Sequence, residues 1–438
     1  MNIVDFPKRW NSGRLATLFV ENTEKNLKLS SINALQFRFG EIVPKPVYEL
    51  SKELKDTYQK YTIVRPNDIM LNGLNLNYDF VTQRVALVKN DGIITSAYIS
   101  LRPREGVLSR YYSYLLKTMD SMKFFNGMGT GIRLTLSYNL LKNILLPIPS
   151  SDEQDQIVRY LDWKVSEINK LILAKKRQVD RLVDLKKTVI NDAVVHGLMP
   201  SVPMKYSGVE WLGNIPEHWS IIKLRQILQQ VSIKNHPELP LLSVVREQGV
   251  IERDIEDKES NHNFIPDDLS GYKLVRKGQL AMNKMKSWQG SYGISDYTGI
   301  VSPAYFVFDV KFNNLKYLHY AIRSKVYVNF FAQASDGIRV GQWDLSLKKM
   351  KEIPFIVPPE DEQEAIVNYI PAAFAKYEAA TEKLKKEIDI LHELRTKLIS
   401  DTVTGQIDVR NVDIPDFEYV EEASDESLED GEESSDDE

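Results

Sequence analysis

Half of this chain repeats the other half. Pro7-Lys8-Arg9-Trp10 returns as Pro216-Glu217-His218-Trp219, and Leu15 returns as Leu224, at an offset of 209 residues. "YTIVRPNDIMLN" from Tyr61 returns as "YKLVRKGQLAMN" from Tyr272, and "GIITSAY" from Gly92 as "GIVSPAY" from Gly299. Phe124-Phe125 and Phe330-Phe331 correspond, and each pair is followed by a Gly-Ile-Arg, at 131–133 and 337–339. Asp152-Glu153-Gln154 with Ile157, Val158 and Tyr160 matches Asp361-Glu362-Gln363 with Ile366, Val367 and Tyr369, again 209 apart. A repeat of about half the chain means duplicated domains rather than a solenoid. A chain of 438 residues has room for two such domains, each with its own core.

Within each copy the periodicity changes once. Tyr61–Val64, Arg84–Val88 and Ile93–Leu101, with Lys273–Val275 and Ala304–Val310 in the second copy, are short, β-branched or aromatic and bounded by Asn, Asp or Gly, which predicts strands. After "LLPIP", ending at Pro149, Ile157, Leu161, Val165, Ile168, Ile172, Val179, Leu182 and Val189 fall at helical spacing. Ser151 or Asp152 is the expected N-cap and Gly197 the stop, so the predicted helix covers 152–195, about 66 Å at 1.5 Å per residue. Tyr377, Leu384, Ile388, Leu391, Leu394 and Leu398 repeat the stripe. Pro371 predicts a break there, with a short helix to about Tyr369 and a new one from Pro371. The apolar stripes are too long for a compact neighbour to cover, so the two helices are expected to pack on each other as an antiparallel coiled coil with an approximate two-fold. The fold class is therefore mixed α/β (α+β): two similar domains separated by long helices.

The net charge of −5 hides an asymmetry. Residues 416–438 hold 13 of the 61 acidic side chains and no Lys or Arg, so the body keeps 56 basic against 48 acidic groups, a net of +8. A basic body suits a polyanionic partner. The tail is predicted to be disordered, either a solubilising appendage or a DNA mimic. No run of roughly 18 apolar residues predicts a membrane span. The absence of an apolar signal core in Met1–Trp10 gives a cytoplasmic expectation. Zero cysteines exclude disulfides, thiolate metal sites and cysteine nucleophiles.

Catalytic motifs are missing. The one Pro-Pro, Pro358-Pro359, lies between Val357 and Glu360, not in the (Asp/Asn/Ser)-Pro-Pro-aromatic motif of an adenine methyltransferase. No G-x-x-x-x-G-K-[S/T] loop exists, and Gly127, Gly129 and Gly131 lack a strand–loop–helix setting. Pro266-Asp267-Asp268 opens a nuclease-like pattern that nothing completes, and the six histidines show no metal spacing. The expectation is a chain with no catalytic residue, no metal and no cofactor of its own.

Two similar basic modules suit a ligand that repeats along its length, as duplex DNA does about every 34 Å. Because the copies differ in sequence, they predict a split, asymmetric target. Bases are read by Arg or Lys on guanine and Asn or Gln on adenine. The first copy offers Asn72, Asn75, Asn77 and Arg84 after the Tyr61 strand; the second offers Asn283, Lys284, Lys286, Trp288 and Gln289. These loops diverge where their flanking strands agree, which fits either different half-sites or loops free to drift. Arg133 and Arg339, at equivalent positions, stand for phosphate contacts or for a shared ion pair. Trp10 and Trp219 are expected as core anchors rather than base-stacking groups. Lys175, Lys176, Arg177, Lys186 and Lys187 form a solvated face or line the DNA between half-sites. Asp152-Glu153-Gln154 and Asp361-Glu362-Gln363 place carboxylates where a helix dipole favours them.

"GVEWLGNIPEHWSIIKL" at 208–224, "IPSSDEQDQIVRYLD" at 148–162 with its echo "VPPEDEQEAIVNYI" at 357–370, and "VTGQIDVR" at 403–410 resemble the specificity subunits of type I restriction–modification systems. The resemblance covers about 1–410 and orders the chain as a first target-recognition domain (1–149), a first helical region (150–198), a second target-recognition domain (199–357) and a second helical region (358–410), followed by the acidic tail (411–438). It implies a non-catalytic DNA-binding subunit that reads a bipartite double-stranded target. It further implies helices that dock adenine methyltransferase subunits, with the two Asp-Glu-Gln runs near that interface, and through them restriction/translocase subunits. S-adenosylmethionine, ATP and Mg would then belong to those partners. A standalone split-operator regulator and a coiled-coil scaffold are the rival readings.

Overall fold

The computed structural model describes residues 6–38, 40–46, 51–76, 83–131, 134–246, 248–253, 266, 268–337 and 343–421. The chain divides into two compact units, one built on Met1–Lys176 with Lys386–Ser434 and the other on Arg177–Lys385. Each unit takes one copy of the strand-rich part of the repeat together with a stretch of both long helices.

The first unit is organised by a four-stranded antiparallel sheet in the spatial order Phe19–Glu21, Ile99–Pro103, Ile69–Leu71, Val85–Leu87. Ile69 faces Leu101 on one side and Leu87 on the other. Strand alternation then decides the packing. Ile69 and Leu71 enter one core with Tyr111, Tyr112, Leu115, Leu116 and Met119 of the helix Ser109–Ser121. Met70 enters another on the opposite face, with Leu35, Val64, Ala86 and Ile94. Cover on both faces accounts for the wholly apolar inner strand Ile69–Leu71.

The second unit repeats this plan. Its sheet runs Leu228–Val231, Tyr305–Val310, Leu280–Asn283, Tyr292–Ile294, with Leu280 between Phe308 and Ile294. Leu280 and Met282 pack with Tyr317, Leu318, Ile322, Tyr327 and Phe331, while Ala281 joins Leu242, Val244, Val275 and Val301. In both units the strand that opens the domain pairs with the strand just before the long helix, Asn11–Arg14 with Leu145–Ile148 and Ser220–Lys223 with Pro354–Val357. The region expected as one strand over Ile93–Leu101 is two, Gly92–Ile94 and Ile99–Pro103, because a turn closed from Tyr98 N–H to the Thr95 carbonyl interrupts it.

The first long helix spans Ser151–His196, within a residue of expectation. Its N-cap is Ser150, whose hydroxyl accepts from the Glu153 N–H at 3.3 Å. The second spans Glu360–Val403 without the expected break, with Pro371 inside it. Pro371 is exposed while Ile366 and Ile370 are buried in the second unit's core, so tertiary burial holds the helix across a residue that removes one hydrogen bond. Within each unit the two helices run antiparallel. In the first, Arg395 donates to Asn169 at 3.0 Å and Lys175 to Glu387 at 2.5 Å. In the second, Lys186 donates to Glu378 at 2.9 Å, and Val194 shares a core with Ile366. Among the described residues no helix is long and apolar enough to cross a membrane.

Each helix ends on a left-handed glycine, Gly197 and Gly405, both at φ +74°. A Cβ at Gly197 would stand 3.0 Å from the ring of Trp219, and one at Gly405 2.7 Å from the ring of Trp10. Both tryptophans are buried, as their repeated Pro-x-x-Trp setting predicted.

Candidate nucleic-acid interface

In the first unit the central strand runs straight into loop 72–76. Asn72 shapes its start, its side-chain carbonyl accepting from the Leu74 N–H at 3.1 Å, an Asx turn. Gly73 is required because the Leu136 carbonyl lies 2.8 Å from where its Cβ would sit, and Leu136 N–H donates to the Gly73 carbonyl at 2.8 Å. Asn75 takes a left-handed φ of +53° and is exposed. Leu76 N–H donates to the Leu134 carbonyl at 3.4 Å, so the loop is held to the segment that follows the Gly-Ile-Arg run. Arg84, expected to offer its guanidinium to a base, is instead 1% exposed. It donates to the carbonyls of Asn72 (3.1 Å), Leu74 (2.8 Å) and Asn75 (3.5 Å), and Asp120 accepts from its backbone N–H at 2.6 Å. An arginine with five donors is stable inside only where acceptors surround it, and the loop carbonyls supply them. Asn77 and Arg133 lie outside the described residues.

The second unit builds the same skeleton with other side chains. Asn283 occupies the place of Asn72, its carbonyl accepting from the N–H groups of Met285 (3.1 Å) and Lys286 (3.3 Å). Leu345 N–H donates to the Lys284 carbonyl at 3.0 Å, the counterpart of the Leu136–Gly73 bond. Lys284 pairs with Asp344. Trp288 lies 5.1 Å, centroid to centroid, from Trp343, and its indole N–H donates to the Met285 carbonyl at 3.1 Å. The rest of the loop closes through a short 3₁₀ turn, Ser287–Gln289, and a left-handed Gly290. Met285 and Lys286 are exposed, Trp288 and Gln289 half-buried. The platform therefore brings together Asn283, Lys284, Lys286, Trp288 and Gln289, and it adds Trp343, which sequence reasoning missed. Arg339 lies outside the described residues.

Side chains of the two Asp-Glu-Gln runs make contacts within the chain. Glu153 accepts from Arg9 at 2.7 Å and Glu362 accepts from His218 at 2.5 Å and from the Trp219 indole N–H at 3.0 Å. Gln154 and Gln363 donate to the carbonyls of Pro149 (2.9 Å) and Pro358 (2.8 Å). These four side chains lock each helix start to its own domain; of the runs, Asp152 and Asp361 are exposed. The signal was present in sequence, because Arg9 and His218 recur at the same offset as Glu153 and Glu362. Of the helix cations, Lys175 and Lys186 pair with carboxylates of the second helix, a role neither sequence reading assigned, and Lys187 reaches Asp184 at 3.6 Å.

Part of the acidic tail is docked. Gln156 donates to the carbonyls of Val409 (3.0 Å) and Val412 (2.7 Å); further on, Val420 N–H donates to Ser166 at 3.1 Å and Asn169 to the Val420 carbonyl at 2.9 Å. Glu418 pairs with Lys170 and Glu421 with Lys89. Arg110 lies over the Tyr419 ring and donates to Asp162, whose carboxyl is raised above its usual range by burial despite that partner. Residues 422–438 lie outside the described residues. No cluster of His, Asp and Glu among the described residues could hold a metal ion.

Residues 22–181 match the family model of the type I restriction modification DNA specificity domain. The chain is similar to the type I restriction enzyme MjaVIII specificity subunit of Methanocaldococcus jannaschii, 26% identical over 385 residues, which cover 83% of this chain and 84% of that protein. It is also similar to the MjaIX specificity subunit of the same organism, 27% identical over 161 residues, 35% of each chain. A chain from a solved structure concerned with complex assembly and conformational transition of the type I restriction–modification system shares the fold, with a TM-score of 0.60 at 14% identity, covering 92% of this chain and 100% of that one.

Proposed function

We propose that the chain is a non-catalytic DNA-specificity subunit like the type I restriction–modification subunits to which it is similar, and that each of its units reads one half of a split, asymmetric double-stranded DNA target. The observation that carries this is one loop skeleton bearing two sets of side chains. Asn72 and Asn283 make the same turn and the same backbone bond follows each, yet the side chains presented are Leu74 and Asn75 in one unit and Met285 and Lys286, with the half-buried Trp288 and Gln289, in the other. Backbone geometry held constant while the exposed chemistry changes is what two readers of different sequences need. The chain directs adenine methyltransferase subunits to that target, and through them restriction/translocase subunits, with S-adenosylmethionine, ATP and Mg bound by those partners.

The test is a map of methylated adenines in a host carrying this gene with its methyltransferase, against the same host lacking this gene alone. A two-part motif with a fixed gap that loses its methylation supports the proposal. Unchanged methylation rejects it, and tight sequence-specific binding by the isolated chain would then point to a standalone regulator, indifference to DNA at low salt to a scaffold.

A further inference from the structure

We infer that Arg84 is a positioning residue for the first half-site only: from beneath the surface it sets the shape of loop 72–76 without touching the ligand. The inference rests on the reading of that loop as a DNA-contacting surface. Arg84 is among the largest fully buried side chains of the molecule. Its guanidinium reaches the carbonyls of Asn72, Leu74 and Asn75, so one side chain ties three of the loop's five residues to a single plane. Its backbone closes the base of the same loop, the Arg84 carbonyl accepting from Asn72 N–H at 2.8 Å and its N–H fixed on Asp120. Asn75 holds a left-handed conformation, which asparagine tolerates better than most residues, and the guanidinium donates to its carbonyl.

At the equivalent place the second unit carries a different residue. The bond from Asn283 N–H to the Ser291 carbonyl, 2.9 Å, identifies Ser291 as the counterpart of Arg84. There the loop is held by its own side chains: Asn283 caps two N–H groups, Ser287 donates to the Asn283 carbonyl at 2.6 Å and Trp288 to the Met285 carbonyl. Beyond the turn that the two loops share, the first is held by a buried side chain outside it, and the second by its own side chains together with the Leu345 N–H and Asp344. A change at residue 84 therefore reaches one half-site and leaves the other as an internal control in the same molecule. Lysine cannot substitute, since an ammonium is a point donor that does not span three carbonyls in a plane.

The experiment maps adenine methylation in hosts carrying the full chain with its methyltransferase, comparing the parent, Arg84→Lys, Asp120→Ala and the loop variant Leu74→Ser/Asn75→Gly. Arg84→Lys should reduce discrimination at the first half-motif on the order of ten-fold or more, the scale of one well-placed base contact, with the second half-motif unaltered. If the loop variant changes the first half-motif and Arg84→Lys does not, the positioning role is overturned while the reading of the loop stands. If the loop variant leaves the motif as it was, the reading fails and the inference fails with it. If Arg84→Lys abolishes methylation altogether, Asp120→Ala, which removes the acceptor of the Arg84 N–H, decides: loosening confined to the first half-motif supports the inference, and equal loosening of both halves, or none, overturns it.

Discussion

Asn72 and Asn283 occupy the same place in the two units, and each gives its side-chain carbonyl to a backbone N–H two residues ahead, Leu74 and Met285, at 3.1 Å in both cases. A group committed to an Asx turn in both units has a structural task that either half-site needs. Aspartate makes the same turn but cannot donate to adenine N7, whereas alanine makes no turn. Asn72→Asp should therefore leave the first half-motif intact, while Asn72→Ala should loosen it and cost about 1 kcal/mol of stability. Methylation mapping of the two variants checks this; a changed motif in Asn72→Asp would show that the amide itself reads a base.

The helix latches give a stability prediction that is blind to DNA. Glu362 accepts from both His218 and the Trp219 indole, in a site where the carboxylate is mostly buried. Removing it leaves a buried indole N–H without its acceptor, so Glu362→Ala should destabilise the second unit by roughly 2 kcal/mol, read in urea unfolding. The target motif and its methylation should be unchanged, because the side chain is spent inside the chain.

The glycines that end the long helices should rank in a fixed order. Both require left-handed φ, which costs an alanine about 1–2 kcal/mol, but a Cβ at Gly405 meets Pro7 at 2.6 Å and Trp10 at 2.7 Å, whereas one at Gly197 meets Trp219 at 3.0 Å. Gly405→Ala should lower the melting temperature more than Gly197→Ala. Equal shifts would mean that the backbone conformation alone sets the cost and that the tryptophan contacts yield freely.

His319 links stability of the second unit to pH. Burial lowers its pKa from 6.5 to about 4, the Arg323 guanidinium adds to the effect, and Asp296 opposes it. The folded form therefore binds its proton more weakly than the unfolded chain. Stability from this group is full above pH 6.5 and falls as the pH drops toward 4, by of order 2–3 kcal/mol over that window. Urea unfolding at pH 7 and pH 5 measures the slope; His319→Gln, which keeps an acceptor for the Ile294 N–H, should flatten it.

How much of this was legible in the sequence follows from the distance over which each fact is decided. The duplication, the helix over Ser151–His196 and the buried Trp10 and Trp219 were readable because they depend on periodicity, spacing and repetition. Pro371 misled because local preference argued for a break, whereas Ile366 and Ile370 are held in a core that the local window does not contain. Arg84 looked like any loop-flanking arginine, since nothing nearby in sequence says that Asp120 and three carbonyls close over it. The Glu153–Arg9 and Glu362–His218 latches join residues 144 positions apart, so only the repeat itself, in which both partners recur together, could have paired them.

The docked C-terminal segment was also hidden by composition, which marked everything from 416 onward as acidic chain. Its attachment is mainly through main-chain groups: Ser166, 1% exposed, and Asn169, 3% exposed, are polar residues on the long helix whose described partners include both backbone groups of Val420. The Glu418–Lys170 and Glu421–Lys89 pairs are exposed on at least one side, and such pairs contribute at most about 1 kcal/mol each and weaken with salt. Ending the chain after Asp413 should therefore speed amide hydrogen exchange in the helix around 162–170 and do so at high as well as low ionic strength. Neutralising the ion pairs alone, with Glu418→Gln and Glu421→Gln, should have a small effect that disappears in salt. If the charge variant matches the truncation, electrostatics hold the segment and its hydrogen bonds to the helix are incidental.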